Sequence, residues 1–210
     1  MAEFELEDGV LTIDGVVIHE SQAREAMNDL RDEKKRSYHL FIYRNPSLCS
    51  FLMAGAADYF EKEVRLNGTG DVNPDDPGFL QFVGPYFASQ FSDKLARAVK
   101  KQDVKAVKTL LSADLLVPAG HQDELFGEAH SYLKNQHEQI LQHDVEKARD
   151  GFGPRKDRRK LVEKKCRLVS PLTLNALPDY FAEVRSRIGK NLSAIAVQLY
   201  KKHQEIELAD

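Results

Sequence analysis

The sequence predicts an α+β protein, mainly helical, with a small N-terminal β-meander/αβ unit followed by a helical body. Three observations carry that reading. Phe4 and Leu6 alternate with Glu3, Glu5 and Glu7 ahead of two Asp-Gly dipeptides, composition changes abruptly over residues 67–78, and beyond them apolar residues recur three and four apart. Alternation marks a half-buried strand, and a 3–4 spacing marks one face of a helix.

In chain order, Asp8-Gly9 and Asp14-Gly15 are tight-turn dipeptides bracketing Val10, Leu11, Thr12 and Ile13, with Val16, Val17 and Ile18 after them. Two such turns so close together predict a meander of three strands. A polar helix is expected from about Ser21, with a narrow apolar stripe of Ala23, Ala26, Met27 and Leu30. Residues 38–43, Tyr-His-Leu-Phe-Ile-Tyr, are aromatic and β-branched enough to predict another strand. Pro46 then suits the first turn of a helix reaching to about Val64.

Residues 67–78 hold three glycines, two prolines, three aspartates and two asparagines, the composition of an exposed loop. The expected organisation is a small α/β unit at 1–66, this acidic loop at 67–78, and a helical domain at 79–210. Gly84-Pro85 should interrupt the aromatic stretch that follows, with Pro85 opening a new helix whose stripe is Phe87, Phe91, Leu95 and Val99. A long helix is expected over 122–149. Near the end, Phe181, Val184, Ile188, Leu192, Ile195 and Leu199 form a stripe, with Gly189 a place for a kink.

The stretch from Leu95 to Leu111 resembles the helix-turn-helix part of an ankyrin repeat over seventeen residues. It departs from that family: Gln102 stands where the turn usually has glycine, no Thr-Pro-Leu-His precedes the pair, and nothing recurs about 33 residues on. A solenoid needs neighbouring units to bury each face, so the stretch is read as a local helical hairpin.

With 210 residues, 42% hydrophobic and 30% charged, the chain can build its own core. Two cysteines, Cys49 and Cys166, are too few for a disulfide framework and suggest reduced thiols in the cytoplasm. No apolar run approaches the ~18–20 residues that span a bilayer, so no membrane partner is expected. The N-terminus is acidic where a secretory signal is basic.

Charge is distributed unevenly. Residues 1–33 carry ten acids against Arg24 and Arg31, whereas the thirteen residues 155–167 carry eight cations and two acids in a chain of net charge −3. The cations are Arg155, Lys156, Arg158, Arg159, Lys160, Lys164, Lys165 and Arg167, following a Gly-Phe-Gly-Pro hinge. Packed like charges repel unless water or a counter-charge relieves them. As a helix the segment has a narrow apolar strip of Val162, Cys166 and Val169, with Leu161 alongside.

Other constellations are weaker. His130 and His137 share a helix face but lie about 10.5 Å apart along it, too far to reach one ion together. His143-Asp144 is a bare dipeptide without identifiable partners, and His121 lies beside the helix. Asp71, Asn73 and Asp75 imitate half a calcium loop, but Asp76 replaces its glycine and Phe82 its terminal glutamate. Cys49 near a helix start, with Ser47, Ser50 and His39 at hand, reads as a structural cysteine among Leu48, Phe51, Leu52 and Met53. Neither Gly151-x-Gly153 nor Gly68-x-Gly70 makes a phosphate cradle.

The leading expectation is therefore a non-enzymatic interaction protein, an adaptor or assembly subunit without a cofactor. It would dock an acidic protein surface through residues 155–167, that surface including its own N-terminal region in another copy, which would make a homo-oligomer. A nucleic-acid-binding protein using the same residues is the second reading; Phe152 alone offers a stacking ring, and the chain is slightly acidic. A metal-dependent hydrolase built on His130, His137, His143 and Asp144 is the third.

Overall fold

The computed structural model describes residues 10–13, 16–61, 72–113, 115–139 and 170–203. Helices α1 (Glu20–Arg31), α2 (Glu33–Arg44), α3 (Pro46–Ala54) and α4 (Asp58–Glu61) precede a long helix, α5 (Pro77–Lys101). After it come α6 (Val104–Leu111), α7 (Gln122–Gln139), α8 (Pro171–Ala176), a 3₁₀ turn at Asp179–Phe181, and α9 (Ala182–His203).

The α+β reading is corrected: the protein is mainly helical, and no β-meander is present among the described residues. What β structure they contain is an antiparallel ribbon of β1 (Val10–Ile13) and β2 (Val16–His19), with Val10 opposite His19 and Ile13 opposite Val16. The strand expected before Asp8 lies outside the described residues.

Residues 38–43 are also helical rather than extended. Asp32 caps α2 by accepting the Lys35 N–H at 3.0 Å, and Tyr38 and Phe41, three apart, turn inward while His39, Leu40 and Tyr43 face out. Burial at helical spacing overrides the β propensity of this run. Pro46 opens α3 as expected, but the helix stops at Gly55, whose left-handed backbone (φ 62°) directs its N–H to the Phe51 carbonyl at 2.7 Å.

α5 is the spine. Asp76 caps it by accepting the Gly78 N–H at 2.6 Å, and Pro77 occupies the first turn. The expected break at Gly84-Pro85 does not occur, for α5 runs straight through Pro85. Pro85 and Gln81, whose carbonyl loses its donor, both lie on the exposed side of the helix. Gly84 faces inward, and a Cβ there would lie 3.0 Å from Pro118 Cδ, so glycine permits the close approach of the 115–118 segment.

Phe79, Val83, Phe87, Phe91, Leu95 and Val99 line the inner face of α5, each fully buried. Phe41 meets Phe79 and Phe51 meets Phe87, each at 5.0 Å, while Phe126 meets Phe91 at 6.3 Å and Phe181 at 5.6 Å. These edge-on pairs join α2, α3, α5, α7 and the 3₁₀ turn in one apolar cluster. Each such ring contributes about 1.5–3 kcal/mol by leaving water.

Residues 115–128 run beside α5 in the same direction. Pro118 lies against Gly84, Phe126 against Phe91, and Glu128 pairs with Lys100 at 3.0 Å. The described part of the expected 122–149 helix is α7. At the C-terminus Phe181, Val184, Ile188 and Ile195 are buried as the stripe implies, and α9 continues through Gly189. Among the described residues no helix is long and apolar enough to cross a membrane.

Candidate functional site

The eight cations of residues 155–167 lie outside the described residues, as do Cys166, His143, Asp144, Asp71 and both Gly-x-Gly pairs. After them the described chain resumes beside the end of α5. Ser170 is the first described residue, and its N–H donates to Gln102 Oε1 at 2.7 Å. Gln102 closes α5 in the left-handed region (φ 58°), and its amide also donates to the Val99 carbonyl at 2.8 Å. α8 follows Ser170 and packs against α6.

That corner of the molecule is cationic. Arg97, Lys100, Lys101, Lys105 and Lys108 stand on the last turns of α5 and on α6, all exposed. Arg97 is committed to Asp93 at 2.8 Å, and Lys100 to Glu128 and to the face of the Tyr132 ring, 5.9 Å from its centre. Asp103 Oδ1 caps α6 by accepting the Ala106 N–H at 2.9 Å. Lys101, Lys105 and Lys108 make no ion pair among the described residues. Lys105 stands in the first turn of α6, beside the Asp103 carboxylate at its N-cap.

The other candidates are occupied with structural work. His121 Nδ1 pairs with Glu124 at 2.8 Å. His130 lies edge-on to Tyr180 at 5.6 Å and against Phe181 at 6.0 Å, while His137 is half-buried farther along α7. Among the described residues no group of three or more His, Cys, Asp or Glu side chains could hold a metal ion. In the calcium-like loop, Asn73 Oδ1 accepts the Asp75 N–H at 3.0 Å, and Asp76 is consumed in capping α5.

Cys49 is half-buried on α3 and donates to Met53 Sδ at 3.7 Å. His39 packs edge-on against Phe82 at 5.0 Å. Tyr180 donates to Asp123 at 2.6 Å, and that hydrogen bond, with some burial, raises the tyrosine above its ordinary value.

Two of the three acids of α1 are paired: Glu20 with Arg24, and Asp29 with Lys35 at 2.5 Å, while Asp32, just beyond, caps α2. The hydrogen bond from Lys35 to Asp29 raises the lysine above its ordinary value. The stripe of α1 stays in water, with Met27 58% and Leu30 49% exposed.

Comparison with protein-family models, with curated proteins and with solved structures finds no match to this chain.

Sequence reasoning missed the corner of Lys101, Lys105 and Lys108. The signal lies within the ankyrin-like stretch, where lysines crowd around a single aspartate.

Proposed function

We propose that the chain is a non-enzymatic interaction protein of the cytoplasm, an adaptor or assembly subunit, that docks an acidic protein surface through Arg155, Lys156, Arg158, Arg159, Lys160, Lys164, Lys165 and Arg167. The observation that carries this reading is the concentration of eight cations in thirteen residues of a chain whose net charge is −3. Such a cluster steers an acidic partner and orients it, while neighbouring apolar side chains supply affinity. Support comes from the corner where Ser170 meets Gln102, at which Lys101, Lys105 and Lys108 are exposed and make no ion pair among the described residues.

The partner is an acidic protein or another copy of this chain. Of the ten acids in residues 1–33, Glu20 and Asp29 already pair with Arg24 and Lys35 among the described residues. Charge reversal tests the reading: Arg158→Glu, Arg159→Glu, Lys164→Glu and Lys165→Glu together should leave the circular dichroism spectrum unchanged while abolishing association with acidic proteins or self-association. Unchanged association in that variant refutes the proposal.

A further inference from the structure

We propose that Ser170 is a phosphorylation site whose phosphate is received by Lys101, Lys105 and Lys108 around the α5–α6 corner. The inference stands apart from the docking function proposed above, because every group that holds the phosphate belongs to the described body.

The sequence around the serine is of the kind protein kinases read. Of the eight prolines, only Pro171 directly follows a serine or threonine, and Arg167 stands three residues before Ser170. A proline just after the serine is what proline-directed kinases recognise, and an arginine three residues before it is what basic-directed kinases recognise. The proline also holds the preceding residue extended, and Ser170 has φ −70° and ψ 129°. Substrate chains lie in a kinase cleft in that extended form.

The side chain is available for the reaction. Serine is a favoured N-cap, and Asp32, Asp76 and Asp103 each cap the helix they precede. Ser170, half-buried ahead of α8, makes no capping hydrogen bond. In the transfer its Oγ attacks the γ-phosphorus of a nucleoside triphosphate held by the kinase. The Oγ–P bond forms, the bond from phosphorus to the bridging oxygen breaks, the nucleoside diphosphate leaves, and the hydroxyl proton passes to the kinase's base.

The charge balance of the corner suits the product. The Ser170 N–H lies 2.7 Å from Oε1 of Gln102, which follows Lys101, and α8 packs against α6, which carries Lys105 and Lys108. Arg97 and Lys100 are balanced by Asp93 and Glu128, and Asp103 at the α6 N-cap offsets one of the remaining cations. Three exposed lysines and that one aspartate leave an excess of two positive charges. A phosphoserine brings about −1.5 to −2 charges and three acceptor oxygens at neutral pH. Being attached to the same chain, it meets the lysines without the cost of bringing two molecules together.

Incubating the full chain with ATP and a proline-directed or a basic-directed serine kinase tests the site. Peptide mass spectrometry should find phosphate on Ser170; its absence there with both kinases overturns the proposal. The lysine contact is read from thermal unfolding. Phosphorylation of the wild type should raise the melting temperature by about 2–4 °C. The combined Lys101→Gln, Lys105→Gln, Lys108→Gln variant, compared with its own unphosphorylated form, should show no rise. An equal rise in that variant, or none in the wild type, overturns the contact. A further measurement needs no variant: about 1 M sodium chloride should shrink the wild-type rise, and a rise that salt leaves unchanged overturns the contact as well.

Discussion

Gln102 Oε1 receives the Ser170 N–H at 2.7 Å, joining residues 68 positions apart. The residue that holds this bond sits in a backbone conformation (φ 58°) usually left to glycine. Glycine would relieve the backbone but would hold nothing, so the side chain accounts for the departure from the helical-hairpin pattern. Gln102→Ala keeps the strain and loses the clamp, and should cost about 1–2 kcal/mol. Gln102→Gly should fall between it and wild type. Urea unfolding midpoints check the order, and an alanine variant as stable as wild type would show that the clamp contributes nothing.

The Tyr180–Asp123 hydrogen bond predicts an alkaline effect. Folding raises this tyrosine above its usual 10.0, so the native state holds the phenolic proton more tightly than the unfolded chain does. The contribution is complete below the unfolded value and disappears as pH rises through the folded one. At neutral pH Tyr180→Phe should lose about 0.5–1 kcal/mol, a modest figure because the bond is exposed. The gap from wild type should close as pH rises through the raised value of the folded state. Chemical denaturation at neutral and at alkaline pH measures it; a gap that widens with pH contradicts the assignment.

Phe91 touches Phe60, Phe87 and Phe126 and has no exposed surface. Phe91→Ala should therefore destabilise by about 3–5 kcal/mol, enough to remove much of the margin of a protein this size. A small shift of the thermal transition would mean that α3–α4 and α7 do not meet across α5 as described.

Pro85 gives an opposite expectation. Because α5 continues through it on the solvent side, Pro85→Ala restores a hydrogen bond to the Gln81 carbonyl without crowding the core. The melting temperature should rise or hold, by the equivalent of about 0–2 kcal/mol. A marked fall would show that the proline ring shapes the helix.

The helical half of the fold was legible wherever one apolar face repeats over several turns, as at Phe87–Phe91–Leu95–Val99 and Phe181–Val184–Ile188. Residues 38–43 were not, because a run of six aromatic, β-branched and apolar side chains has no period visible within itself. Only the burial of Tyr38 and Phe41 against Phe79 reveals one. Gly84-Pro85 misled for a related reason: whether a proline breaks a helix depends on which side it faces, and facing is a tertiary property. The site divides likewise. The cationic segment is plain in composition, whereas that Ser170 meets Gln102 at the end of α5 is a tertiary contact that composition does not show.

The alignment of α7 with α5 has a bearing on biosynthesis. Two neighbouring helices pointing the same way cannot be joined by a short turn, and here the return journey is made by α6 and the residues after it. A nascent chain that has reached only Lys101 therefore offers the ribosome-proximal rings of its spine no cover from downstream. Phe91 lacks one of its ring neighbours until Phe126 has emerged, so the core around it is complete only after α7 is made.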